Sequence, residues 1–370
     1  MDTDRTSRQT MRLLSPALFL LLLSACGQAA AAEICNLPPR YGLTAAAIAI
    51  VRTACAEHRA WEQPFIDTQG RVASLSITEA ERTPLGYGEQ PAWQRVAAYW
   101  RESGLLNSVS DRPGARSCMT SDGSRWSEVD CRAFLIDTPW SAAFVSWVMT
   151  RAGVAGFPSS ARHLDYIRAA YRAQDGDPYL YSDPENSKPE PGDLLCLLRG
   201  RDDVIGYAGL SAALSSTGAL GWPSHCDIVI AANVGGDRTL YLIGGNVFNT
   251  VMMRKLPLDR SGRLVLPKPL ATASGSEDGV GVALDCSPAR EAQCDLNRRD
   301  WAALLKLRPT AQLVAPPPRA VPTVTPTGPS APMPPGFPRV VPPRPGTGPV
   351  QPQPRPQPYP IPPQEPVRQN

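Results

Sequence analysis

Residues 138–149 read Thr-Pro-Trp-Ser-Ala-Ala-Phe-Val-Ser-Trp-Val-Met, and this stretch decides the fold reading. Thr138 is suited to cap a helix whose first position is Pro139, where a missing N–H costs nothing. Phe144, Val145, Val148 and Met149 give an i, i+1, i+4, i+5 apolar face, and Gly153 ends it. Ser141 then falls at about the third position, with its N–H among the unpaired donors at the positive end of the helix dipole. A nucleophile is well placed there.

On the N-terminal side, residues 43–60 and 91–103 read as helices, the second with Val96, Tyr99 and Trp100 at helical spacing. Residues 64–90 and 104–130 are rich in turn signals such as Asp111-Arg112-Pro113-Gly114. A further helix is expected over about 160–173. Past Lys188-Pro189-Glu190-Pro191-Gly192-Asp193 the pattern changes to short apolar runs at 194–199, 226–232, 239–243 and 247–254, which read as strands, the middle pair joined by a hairpin-like turn at 233–237. Helices first and strands second predict an α+β domain on an antiparallel sheet. The Gly-, Ser- and Ala-rich residues 200–224 read as a surface loop or a lid.

Both ends of the chain differ in character from this centre. Arg5, Arg8 and Arg12 precede the short apolar run of residues 12–25, the layout of a secretory signal. Leu23-Ser24-Ala25-Cys26 resembles the lipobox of bacterial lipoproteins, which implies a signal over residues 1–25 and an acyl anchor on Cys26, with Gly27 favouring the outer membrane facing the periplasm. Cleavage after Ala29–Ala32, giving a soluble periplasmic or secreted protein, is the alternative. Of 41 prolines, 22 fall in residues 315–370, too poor in large apolar residues to build a core and expected to be a disordered, polyproline-II-favouring tail. That tail holds five Arg against one Glu, which leaves residues 1–314 at −1 of the total +3. A nucleic-acid partner is therefore not expected. The folded domain is placed at 33–314, its core at about 137–255.

With Cys26 set aside, eight cysteines remain, an even number in an exported chain, which favours disulfides. Locality ranks Cys118 with Cys131 and Cys286 with Cys294 first, then Cys35 with Cys55 and Cys196 with Cys226. There is no Cys-x-x-Cys pair and the three histidines are far apart, so neither a metal nor a cofactor is expected.

Three groups downstream of Ser141 carry candidate chemistry. Strand alternation puts His225 and Asp227 on one side, expected to be the side facing the Ser141 helix, with Cys226 and Ile228 on the other. Asn246 follows Gly244-Gly245 and on its own reads as a turn residue that tolerates left-handed geometry. His163 shares a helix with Tyr166, Ile167 and Ala170, and reads first as a hydrogen-bonded structural residue and second as part of the cleft. Trp140 and Asp227 are placed on the cleft wall, and Trp147 in the core.

Residues 139–147, Pro191-Gly192-Asp193, His225 and Gly245-Asn246 together resemble the CHAP and NlpC branch of papain-like cell-wall amidases and endopeptidases, with Ser141 where those enzymes carry Cys. PWSAAFVSWVM, His163-x-x-Tyr166, PGDLLC, HCDIVI and GGN together also resemble an uncharacterised bacterial family of unknown function within that superfamily, over about residues 40–300. The resemblance implies a papain-like fold, peptidoglycan or its peptides as substrate, Ser141 as nucleophile, His225 as base and Asn246 as orienter. A Ser hydroxyl cannot be pre-ionised as a Cys thiol can, so its proton must be removed during attack. The other reading is a non-catalytic module that binds peptidoglycan or an envelope protein. It is favoured by a neutral Asn as orienter and by the lack of a Gln or Asn ahead of Ser141 to complete an oxyanion hole.

Overall fold

In the computed structural model, the described residues are 33–86, 88, 90–119, 124–199, 203–216, 220–269 and 286–314. The expected signal, Cys26 and the proline-rich tail lie outside them. The chain divides into units Met1–Val324 and Thr325–Asn370, and all described residues belong to the first.

The helices are α1 (Ala45–Ala60), α2 (Ala92–Glu102), the short α3 (Ala115–Met119), α4 (Arg125–Asp137), α5 (Ser141–Ala152), α6 (His163–Arg172) and α7 (Gly206–Ser215). The strands are β1 (Phe65–Ile66), β2 (Val72–Ala73), β3 (Tyr179–Ser182), β4 (Leu194–Leu198), β5 (Ser224–Ala232), β6 (Thr239–Val247), β7 (Thr250–Pro257) and β8 (Asp300–Leu307). They form one eight-stranded sheet in the order β2-β1-β7-β6-β5-β4-β8-β3. The fold is α+β. The sheet is antiparallel except where β1 runs parallel to β7.

Alternate residues of β4 enter two apolar clusters. Leu194, Cys196 and Leu198 join the main core with Phe144 and Val148 of α5, whereas Leu195 and Leu197 pack with Val229, Leu242 and Trp301. The sheet is thus covered on both faces, which is why Leu-Leu-Cys-Leu-Leu is apolar without alternation. Cys226 and Ile228 belong to the cluster that packs on α5, so the expectation that the His225 side faces the Ser141 helix is reversed. His225 and Asp227 are registered against Leu197 and Leu195.

Other boundaries also moved. Thr138 is the last, extended cap of α4, and α5 begins at Ser141 with Trp140 as its N-cap. A residue ahead of proline is pushed out of helical geometry, so Thr138 ends one helix and Pro139 separates it from the next. Residues 125–130, within the stretch read as turn-rich, open helix α4, which runs to Asp137 with Phe134 and Leu135 buried. Residues 206–215, read as loop, form α7, and its Leu210 is fully buried in the main core. Strands β3 and β8 were not anticipated, and they complete one side of the sheet.

Four disulfides close, Cys35–Cys55, Cys118–Cys131, Cys196–Cys226 and Cys286–Cys294, the pairs ranked by locality. They indicate an oxidising, exported location. Among the described residues no helix is long and apolar enough to cross a membrane.

A buried histidine makes stability depend on pH. His58 Nε2 lies 2.9 Å from Pro64 O, and burial lowers its pKa to about 4. The unfolded chain takes up this proton near pH 6.5 and the folded chain does not, so stability is lost as pH falls from 6.5 to 4, by roughly 3 kcal/mol. His58→Gln keeps a donor for Pro64 but binds no proton. The wild-type-minus-variant difference in unfolding free energy should therefore fall across that window. A difference constant with pH would contradict this account.

Candidate functional site

The site begins with Trp140, which is held before it can enter a helix. Its indole stacks on Trp61 and Tyr99 at centroid distances of 6.0 and 5.6 Å, and its Nε1 donates to Glu79 Oε2 at 2.6 Å. Behind this stack, Tyr99 Oη donates to Glu57 Oε2 at 2.6 Å, and Arg95 forms an ion pair with the same carboxylate. Trp140 is therefore part of the core and does not wall a cleft. Its anchoring leaves Ser141 at the first helical position, where the first helical hydrogen bond, Phe144 N to Trp140 O, has already passed over the Ser141 N–H.

Ser141 Oγ lies 2.7 Å from His163 Nε2. His163 opens α6, and Tyr166 one turn later places its Oη on His163 Nδ1, as i, i+3 side chains on one helix face can. The approach of α6 to α5 is fixed by Ser146. Its Oγ donates to Ser160 O and accepts from Ser160 N, both at 3.1 Å. Ser160 Oγ in turn donates to Asp165 Oδ2 at 2.6 Å. The segment before α6 is so tied to α5 one turn beyond Ser141.

The second half of the site comes from the sheet. His225 Nε2 is 2.7 Å from Asp227 Oδ1, and Arg254 Nε donates to Asp227 Oδ2 at 3.2 Å. Arg254 also donates from Nη1 to Leu296 O at 2.9 Å and to Asn297 Oδ1 at 3.1 Å, with its guanidinium 5.6 Å from the Trp301 ring centre. The two halves meet at the imidazoles. The His163 and His225 ring centroids are 5.1 Å apart.

Asn246 does not fill the place expected of it. The contact on His225 Nε2 comes from Asp227, while Asn246 Oδ1 is buried without a hydrogen-bond partner. Its backbone is left-handed, at φ 58°, as the turn reading required. The two residues before it are glycines for a reason of space. A Cβ on Gly244 would stand 1.9 Å from Asp227 Oδ1 and 3.0 Å from His225 Nε2, and one on Gly245 would stand 2.5 Å from Phe144 Cβ.

Ser141, His163, His225, Asp227 and Asn246 are each at most 4% exposed. Burial, reinforced by the neighbouring His225 and Arg199, holds the His163 pKa well below the usual imidazole value. Burial likewise holds Tyr166 well above the usual phenol value, so Tyr166 keeps its proton. A neutral His163 is able to accept a proton from Ser141 only as the tautomer with hydrogen on Nδ1, donated to Tyr166 Oη. Among the described residues no cluster of three or more His, Cys, Asp or Glu is arranged to hold a metal ion. A cavity of about 480 Å³ adjoins the site, bordered by Thr138 and Pro139 on one side and Ser160 and Arg162 on the other.

The sequence reading named Ser141, His163, His225 and Asp227, and the structure gathers all four. It overlooked Tyr166 as a partner of His163, Ser146 as the tie between helices, and Arg254. The i, i+3 spacing of His163 and Tyr166 was a readable signal. Arg254 gave none, because its partner lies 27 residues away.

The chain belongs to the family described as "Uncharacterized protein conserved in bacteria (DUF2272)", which matches residues 88–307. Neither curated proteins nor solved structures offer a match.

The electrostatics yield a direct check. His163 should show no protonation step between pH 8 and pH 6 when its imidazole resonances are followed by NMR, because its charged form is disfavoured by burial and by His225. A midpoint at or above pH 6.5 would refute the buried, neutral state.

Proposed function

We propose that this chain is a cell-envelope amide hydrolase in which Ser141 is the nucleophile and His163 its general base, acting on peptidoglycan stem peptides. The observation that carries the reading is the 2.7 Å contact between Ser141 Oγ and His163 Nε2 at the start of α5. Nucleophile and base within hydrogen-bond reach, with the base held by a third group, is the arrangement a Ser hydroxyl needs. His225 was the base expected from the sequence, but Asp227 occupies its Nε2. In this reading His225 stands behind His163, and Asp227 with Arg254 fixes its ring.

The steps follow from the geometry. As Ser141 Oγ attacks the carbonyl carbon, His163 Nε2 takes the hydroxyl proton, and the imidazolium passes it to the leaving amine. The Ser141 N–H and the α5 dipole face the developing oxyanion. Water then attacks the acyl-enzyme with His163 again as base, releasing the acid and restoring Ser141.

Peptidoglycan is inferred from the resemblance to CHAP and NlpC enzymes, with a papain-like descent of the helix and strand order. Anchoring through Cys26 in the outer membrane, facing the periplasm, belongs to the same proposal and agrees with the four disulfides. No cofactor takes part in the mechanism.

A second reading, a non-catalytic module that binds peptidoglycan or an envelope protein, is favoured by one observation. Ser141 is only 3% exposed, and its His is supported by a neutral phenol where a carboxylate would better stabilise an imidazolium.

Peptidoglycan incubated with the protein and resolved by mass spectrometry separates the two. The hydrolase reading expects new amide-cleavage products, with Ser141→Ala and His163→Ala each slower by a factor of roughly a thousand or more. Unchanged material with wild type and with Ser141→Cys alike would leave the binding module.

A further inference from the structure

None of the residues gathered at Ser141 lines a second, larger groove of about 620 Å³, formed between residues 34–40, helix α1 and the end of β5. Leu37, Leu43, Val51 and Ile230 contribute to its apolar wall, and Arg40, Arg52 and Arg59 are the charged residues around it. Among the described residues no Asp or Glu lines it. Among the described residues the guanidinium groups of Arg40 and Arg52 have neither a hydrogen bond nor an ion pair, whereas Arg59 Nη1 donates to Cys35 O at 2.9 Å. The rim is built rather than loose, because the Cys35–Cys55 disulfide ties it to α1 and the buried Pro191 closes one end.

We propose that this groove binds a single-chain anionic amphiphile, its hydrocarbon chain along the apolar wall and its head group at the arginines. Three cations without an anion in the lining ask for a negative ligand group. The wall between them offers almost no side-chain hydrogen-bonding groups, and hydrocarbon needs none. An extended peptide fits less well. At the groove β5 is paired with β6 at Ala231 and Ala232, and its pairing with β4 ends at Ile228, so the edge left there is only about three residues, short for a peptide that would add as a strand. The size of the groove lies within the range of small-ligand sites, about 300–1,000 Å³.

The test is calorimetric titration of the full-length protein with dodecanoate below its micellar concentration, beside glycerol monododecanoate, which has the same chain and no charge, and propionate, which has the charge and almost no chain. One equivalent of dodecanoate should bind, more weakly as salt rises. The neutral ester and propionate should each bind at least about tenfold more weakly. The double variant Arg40→Glu/Arg52→Glu should lower dodecanoate affinity by at least about tenfold. Val51→Trp, which fills the groove from α1, should abolish binding while the circular dichroism spectrum stays that of wild type. Ser141→Ala should bind as wild type does, since the groove shares no residue with that site. The proposal is overturned by an absence of saturable dodecanoate binding, by equal binding of the neutral ester, or by affinity that survives both the charge reversal and Val51→Trp.

Discussion

Helix α5 comes closest to strand β6 where that strand has no side chain. At Gly245 a single added methyl group would stand 2.5 Å from Phe144, well inside van der Waals contact. The closeness places the start of α5, and Ser141 with it, at the level of the His225 end of β5. Gly244 serves the other face of the same strand, leaving room for the His225–Asp227 contact. Two adjacent glycines thus set the helix-to-sheet distance on one side and the sheet's own polar pair on the other. The position of α6 follows from α5, since Ser146 holds Ser160 by two hydrogen bonds and so brings His163 to Ser141.

A core built this way contains polar groups that folding alone does not call for. His163, His225, Asp227 and Arg254 are all nearly inaccessible, and each loses hydration that must be returned by a partner. The arrangement keeps the net charge small. Asp227 and Arg254 offset one another, Tyr166 stays protonated, and His163 is held neutral by burial and by its neighbour. Two imidazolium rings 5.1 Å apart in a dry interior would repel strongly. Burial, with His225 close by, keeps a proton off the ring that touches Ser141. An uncharged imidazole is the form in which a base is useful.

Much of this was legible in the sequence because it rests on local rules. The α5 face from Phe144 to Met149, the stop at Gly153, the strand runs beginning at Leu194 and Thr239, and the pairing of cysteines close in sequence all follow from periodicity or spacing. What escaped depends on distant partners. Residues 125–130 look turn-like because Ser124, Ser127 and Asp130 are polar, yet they open a helix whose Phe134 and Leu135 are buried in the core. Residues 206–215 carry Gly and Ser, and become helical where Leu210 meets β8 and its neighbours. At the site, Ser141 was found from its helix position, whereas the choice between His163 and His225 could not be read, because it depends on a tertiary contact. Alternation put His225 and Asp227 together correctly, and failed only on which face the helix would cover, since both faces of the sheet are apolar.

The closure of the site sets the remaining physical demand. On the proposed hydrolase reading a carbonyl carbon would have to reach Ser141 Oγ, on a residue that is only 3% exposed. Two arrangements hold this cover in place. Ser146 binds Ser160 from within, and Arg162 Nη2 donates to Leu220 O at 2.8 Å from outside, joining the segment before α6 to the segment before β5. The inner bonds are part-buried and belong to the helix packing, so breaking them would displace His163 along with the cover. The outer one is exposed and a single bond, worth little in water. Parting Arg162 from Leu220 would free residues 159–162 at their outer edge, beside the cavity of about 480 Å³ that they already line, while leaving His163 on Ser141. If Ser141 is the nucleophile proposed above, this outer edge is where a substrate would enter with His163 left in place.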